Sequence, residues 1–168
     1  MGNFKQNKQM DLQTYLDNAV KASRAKSLAN SDQLTVGEII LKLEPIVEKQ
    51  KERMADGKTE EATVCYDFEY LFPTSIDSWR GIYAELALNF VDSDRGRTDE
   101  KPMKVSEFLE MMKSVIGKEF TGYKGGEFTM NKHTPVWVAN YGNSGNTAVI
   151  DIVDDGYQVI IITGYRKS

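Results

Sequence analysis

The feature that most restricts the fold of this chain lies near its C-terminus. Two apolar runs, Thr147 to Val153 and Tyr157 to Thr163, are separated only by Asp154-Asp155-Gly156. Each run is strand-sized and rich in β-branched residues, and Asp-Gly is turn chemistry, so the pair predicts an antiparallel hairpin. Val159 to Ile162 is apolar on both faces of a strand. A strand of that kind needs cover on both sides, which places it inside a sheet rather than at an edge.

Other stretches supply partners for it. Val136 to Tyr141 predicts a strand joined to Thr147 by the turn Gly142-Asn143-Ser144-Gly145. Thr63 to Tyr70 alternates, with Val64, Tyr66, Phe68 and Tyr70 on one face and Cys65, Asp67 and Glu69 on the other. Leu71 to Gly81 reads as a loop, and Ile82 to Phe90 as a second strand antiparallel to the Thr63 strand. Asp92 to Pro102 is charged and turn-prone.

Helical periodicity occurs three times. Leu12, Tyr15, Leu16, Ala19 and Val20 form a stripe at three- and four-residue steps, behind Asp11 as N-cap and ended by Ala29-Asn30-Ser31-Asp32. Thr35-Val36-Gly37-Glu38 has the form of a capping box ahead of Ile39, Ile40, Leu43, Ile46 and Val47. Pro45 is expected to kink or end that helix near Glu44, unless the pattern continues past a bend. Lys104 to Leu109 echoes the Thr35 start and continues through Met112, Val115 and Ile116 to Gly117 as C-cap. The echo reads either as a degenerate repeat or as convergent helix-start chemistry. Strands outnumber helices and do not alternate regularly with them. The expected fold is therefore α+β: N-terminal helices and one inner helix packed on a mixed, mostly antiparallel sheet. Residues 1–33 form an arm and helix, and 34–168 a single α+β domain.

Composition narrows the function. With one cysteine, Cys65, and one histidine, His133, the chain has no intrachain disulfide and no metal site built on several thiolates or imidazoles. No apolar run approaches the roughly 18 residues of a membrane helix, and the first residues lack an apolar signal core, so a cytoplasmic location is expected. The net charge of −4 and pI near 5.1 argue against broad nucleic-acid binding. They favour a protein partner or a small ligand.

The helix start TVGE, the segment FPTSIDSWRG and the run IGKEFTGYKGGEFTMNKHTPVWVANYGN together resemble a group of small accessory proteins common in bacteriophage genomes. The likeness spans roughly residues 34 to 165. It brings no assigned fold, activity or site residue. What it implies is a setting, the cytoplasm of an infected bacterium, and a general task of countering host defence or redirecting host machinery.

The run Phe120 to Gly145 concentrates five glycines, two tyrosines, a tryptophan, two lysines and the histidine. A candidate ligand site joins Trp79 and Arg80 to Tyr123, Lys124, Gly125, Gly126, Lys132, Trp137 and Tyr141, with His133 beside them. The cations suit phosphate or carboxylate, the aromatics stack on a planar group, and glycine N–H groups, Gly122 included, reach an anion. GYKGG matches neither a Walker loop nor a dinucleotide fingerprint. The same run reads equally as a glycine-rich hairpin with core aromatics and solvated lysines.

Other chemistry has less support. Asp67 and Glu69, with Asp77, Glu85 and Asp151, form a carboxylate set for hydrolysis or an oxygen-ligand metal, or simply the wet side of a sheet. Cys65 and His133 make a nucleophile–base pair only if the fold joins them. Asp154-Asp155-Gly156 lacks the spaced ligands of a calcium loop. The expected function is non-catalytic binding of a small anionic planar ligand, such as a nucleotide signal, or of a host protein. Alternatives are an acidic antagonist of a host nucleic-acid-binding effector, a nucleotide-directed hydrolase using carboxylates, and a structural protein whose aromatic loops form a homo-oligomer interface. No cofactor and no metal is implied.

Overall fold

A computed structural model of the chain describes residues 33–68, 71–78, 85–90, 101–122, 125–139 and 147–165. The predicted helix at residues 11–29, the Asp92 loop and the Gly142 turn lie outside the described residues. Helix α1 is Val36–Met54 and helix α2 is Val105–Ser114. The strands are β1 (Val64–Tyr66), β2 (Pro73–Asp77), β3 (Leu86–Phe90), β4 (Glu119–Thr121), β5 (Glu127–Thr129), β6 (Val136–Val138), β7 (Thr147–Asp154) and β8 (Val159–Tyr165). Six of them form one sheet in the order β1-β8-β7-β6-β3-β2, and β4 with β5 forms a separate two-stranded sheet. Pairings β1–β8 and β3–β6 are parallel and the rest antiparallel, so the fold is α+β with a mixed sheet.

The doubly apolar β8 sits inside the sheet between β1 and β7. Val159 and Ile161 face the main core, whereas Ile160 and Ile162 face a second cluster on the opposite side. Its turn partner is built by side chains. Asp154 Oδ1 accepts from the Gly156 N–H, Asp155 Oδ1 accepts from Tyr157 and Gln158, and Gly156 takes a φ of 94°.

The sheet curls around its helical side. Tyr66 on β1 places its hydroxyl 3.4 Å from the Asn89 carbonyl oxygen on β3. Those strands are four positions apart in the sheet, about 19 Å if it were flat. A bulge in β7 assists the bend: Val149 pairs with Thr163, but Asp151 pairs with Ile162. The extra residue shifts the alternation, so Val149 and Ile152 both reach the main core while Ile150 lies in the second cluster. Asp151 is left at the rim, where it meets Lys42 Nζ of α1 at 2.9 Å.

Both helices lie on the inner face. From α1 come Val36, Ile39, Ile40, Leu43 and Val47, and from α2 Val105, Phe108, Leu109 and Met112, meeting Val64, Leu86, Val136, Val149 and Ile161 of the sheet. Removing a full side chain from this layer costs about 2–5 kcal/mol. Helix α1 opens with both halves of its capping box: Glu38 N–H donates to Thr35 Oγ1 at 3.3 Å, and Thr35 N–H to Glu38 Oε2 at 3.0 Å. In α2 only Glu107 reaches back, to the Lys104 N–H, because lysine has no acceptor. Glu61 takes the vacant role and accepts from the Ser106 N–H at 2.8 Å.

Three expectations need correction. Pro45 does not end α1, which runs to Met54. The residue is exposed and so is Leu41, whose carbonyl loses its helical donor, so water is available to that oxygen. The Leu71 to Gly81 stretch contains a strand, β2, at the edge of the sheet. Proline and polar residues are tolerated at an edge, which is why the pattern looked like loop. The strand ending at Phe90 pairs with β2 and β6, not with β1.

The start of α1 is fixed by a narrow contact. A Cβ on Gly37 would stand 3.0 Å from both the Lys132 Cβ and the Lys132 carbonyl oxygen, and the Gly37 N–H donates to that oxygen at 2.8 Å. Gly37→Ala should therefore lower unfolding stability in denaturant titration by about 1–3 kcal/mol. Lys49→Ala, on the exposed side of the same helix, should change it by less than about 0.5 kcal/mol.

Candidate functional site

The described residues at the start of the glycine-rich run form part of the β4–β5 hairpin and the turn behind it. Phe120 pairs with Phe128 across the hairpin; Phe120 is buried in the main core, and Lys118 Nζ lies 4.9 Å from its ring centroid. The glycines answer to geometry. At Gly122 a Cβ would come within 2.9 Å of the Phe128 ring, and Gly125 has a φ of 93°. Gly122 N–H donates to the Gly126 carbonyl at 2.6 Å, and Gly125 N–H to the Gly122 carbonyl at 2.9 Å. These two donors close the turn instead of facing an anion.

Behind the hairpin, Asn131 to Thr134 make a second compact turn. Asn131 Oδ1 accepts from the His133 N–H, and the Thr134 hydroxyl accepts from the Asn131 N–H. Thr134 is buried, whereas Lys132 and His133 are exposed. Lys132 thus combines a carbonyl committed to Gly37 with a solvent-facing side chain.

Trp137 is placed differently. It faces the second cluster with Ala148, Ile150, Ile160 and Ile162, and only 6% of its surface is accessible. Register puts Ala87 and Ala148 on either side of it, and these small neighbours leave room for the indole. Among the predicted site residues, Gly125 and Gly126 are at the hairpin tip, Lys132 in the following turn and Trp137 inside the outer sheet face. Trp79, Arg80, Tyr123, Lys124 and Tyr141 lie outside the described residues.

The carboxylates have structural work. Asp67 Oδ1 accepts from the Thr163 hydroxyl at 2.6 Å and Oδ2 from the Thr163 N–H at 3.1 Å. Its own N–H donates to the Ile161 carbonyl, so residue 67 extends the β1–β8 pairing by one step. Asp151 is held by Lys42 and by the Ile152 N–H. Strand β8 lies between β1 and β7, which puts the backbones bearing these two acids about 10 Å apart. Asp77 accepts from the neighbouring Ser78 N–H. Glu69 lies outside the described residues. Sequence reasoning missed the Asp67–Thr163 pair because nothing local links residues so distant in the chain.

Cys65 and His133 do not meet. Cys65 is on β1 and packs against the second cluster, while His133 is exposed in the turn that precedes β6, three strands along the sheet order. Burial pushes the Cys65 thiol up to about 11, with the charges of Asp155 and Asp67 adding to the effect. Among the described residues, no group of three or more His, Cys, Asp or Glu is arranged to hold a metal ion, and no helix is long and apolar enough to cross a membrane. A groove of about 550 Å³ runs between the helices, bordered by Glu44, Glu48 and Lys51 of α1 and by Ser106, Glu110 and Lys113 of α2. None of the sequence-predicted site residues lines it.

Two outcomes follow from these assignments. Asp67→Asn presents an amide N–H₂ where an acceptor is needed and should reduce stability by about 1–3 kcal/mol. For Cys65, the folded thiol holds its proton above the pH at which the unfolded thiol releases it. Its contribution to stability is complete below the unfolded value and is lost as pH rises toward 11. Alkylation of Cys65 in folded protein at pH 8 should be much slower than in urea-unfolded protein. Equal rates would contradict the burial. No protein-family model, curated protein or solved structure matches the chain, so these inferences rest on its own geometry.

Proposed function

We propose that this chain is a non-catalytic recognition protein that engages a protein of an infected bacterial host through the β4–β5 tip and the turn behind it. The observation that carries this reading is the closure of the tip on itself. With the Gly122 and Gly125 N–H groups spent inside the turn, recognition falls to side chains of the tip and the turn behind it. Tyr123, Lys124 and the exposed Lys132 are the side chains we assign to contact, with Trp79, Arg80 and Tyr141 as further candidates. Trp137 serves by packing the strand that follows.

The placement of the acids supports binding over turnover. Asp67, Asp151, Asp154 and Asp155 are each engaged by the fold, and the Cys65 thiol is held protonated. Aromatic and basic side chains suit a protein surface, where a few such anchors carry most of the energy. The second reading keeps a small anionic planar ligand: lysines 124 and 132 would meet its charge and Tyr123 its plane. Resemblance to phage accessory proteins supplies the setting for both.

Immobilised full-length protein should retain a specific host protein from bacterial lysate, and the double variant Tyr123→Ala, Lys124→Ala should weaken that retention by about tenfold or more. Lys49→Ala should not. A rise in melting temperature with a nucleotide, without protein capture, would transfer the assignment to the small ligand. If the double variant retained the protein as well as the parent chain, the tip would not be the contact.

A further inference from the structure

Strands β4 and β5 form a sheet of their own, and among the described residues nothing else pairs with either edge of it. Which backbone groups lie on those edges follows from the hydrogen bonds at the two ends of the hairpin. Gly122 N–H donates to the Gly126 carbonyl, and Met130 N–H to the Lys118 carbonyl. Inward bonding recurs at every second residue of an antiparallel pair, so Phe120 and Phe128 bond each other between those two points. The intervening residues, Glu119 and Thr121 on β4 and Glu127 and Thr129 on β5, turn their N–H and C=O groups outward. All four residues are exposed.

The two edges differ in what lies beside them. Phe120 on β4 is buried, and Lys118 Nζ stands over its ring. Phe128 on β5 is half-buried at the margin of the main core. A strand laid along β5 therefore gains apolar surface as well as backbone, whereas one along β4 gains backbone alone. The other face of the hairpin carries the side chains of Glu119, Thr121, Glu127 and Thr129, two carboxylates and two hydroxyls without a cation. Lys118 is on the Phe120 side, and neither carboxylate is in an ion pair among the described residues.

We infer that the β5 edge accepts an extended segment of a partner protein as an added strand, one that carries lysine or arginine on one face and an apolar residue on the other. Glu127 and Thr129 supply its main-chain donors and acceptors. Partner residues opposite these two share their face, so cations there meet the Glu127 and Glu119 carboxylates. The partner residue between them points to the Phe128 side and covers its open part. A second copy of this chain is a poor occupant. Antiparallel pairing of β5 with itself would gather the Glu119 and Glu127 carboxylates of both copies on one face, and acids on an edge oppose such self-pairing. The inference rests on the proposed reading of the hairpin and its turn as the contact region, and gives that contact a mode and a partner chemistry.

A short capped peptide of alternating lysine and valine, titrated into the full chain and followed by NMR, tests it. The Glu127 and Thr129 amides should show the largest shifts, and those of Glu119 and Thr121 should stay in place. Thr129→Pro removes an outward N–H without touching an inward bond, and should weaken peptide binding about tenfold or more. Glu127→Lys should weaken it about fivefold or more. Thr121→Pro, the same change on the β4 edge, should leave it unaltered. If Thr129→Pro fails to fold, the amide pattern and Glu127→Lys decide the matter. Still amides at Glu127 and Thr129 would overturn the inference, as would binding that survives both β5 variants or is lost only with Thr121→Pro. A dimer in light scattering that Thr129→Pro dissociates would overturn it in favour of a second copy. Peptide failure, with host-protein capture still lost in Tyr123→Ala, Lys124→Ala, removes the edge and keeps the tip. Peptide binding as expected, with capture indifferent to that double variant, removes the tip and keeps the edge.

Discussion

Among the described residues, strands β6 and β7 share a single pair, Trp137 with Ala148, and the rest of the fold depends on what fills the gap where they part. The filler is the main chain at Leu34. Its N–H donates to Val149 of β7, and its carbonyl accepts from the Val136 N–H of β6. Two and three residues on, Val36 and Gly37 donate to the carbonyls of Thr134 and Lys132. One short segment therefore closes the sheet, begins α1 at a fixed angle and clamps the turn that leads back to the β4–β5 hairpin. A side chain at residue 37 would push this strap off the Lys132 backbone, so glycine belongs to the architecture.

This strap explains why two motifs distant in sequence go together. TVGE supplies the capped helix start and the bare backbone at Gly37, while NKHT supplies the Lys132 and Thr134 carbonyls that meet it. These two short motifs thus build one joint. Gly122 and Gly125 behave similarly, fixed by the Phe128 ring and a positive φ. Among the described residues of the run, those open to solvent include Asn131, Lys132, His133 and the hairpin's Glu119, Thr121, Glu127 and Thr129.

Local patterns conveyed part of this. The apolar period of α1 and α2, the Asp-Asp-Gly turn and the doubly buried β8 follow from side-chain spacing and turn chemistry, and all were legible. Edge strand β2 was not, because a strand with one open side needs no alternation. The parallel pairing of β3 with β6 was also hidden, being decided by packing between segments far apart in the chain. For the candidate site, the hairpin and the exposed Lys132 behind it could be read from glycine and lysine spacing. The burial of Trp137 could not, since its alternating neighbours give no sign of which sheet face is covered. Asp67 looked like a candidate acid because its partner, Thr163, is 96 residues away. The echo between the two helix starts also resolves into chemistry, as α1 is followed by a strand of the main sheet and α2 by the separate hairpin.

The most direct measurement of the strap is residue-resolved amide exchange of the native protein by NMR. The N–H groups of Leu34, Val36 and Gly37 should exchange only through global unfolding, with the same opening free energy as Val149 and Ile161 in the sheet. Exchange of these three amides at fraying rates, while β7 and β8 stay protected, would contradict the account.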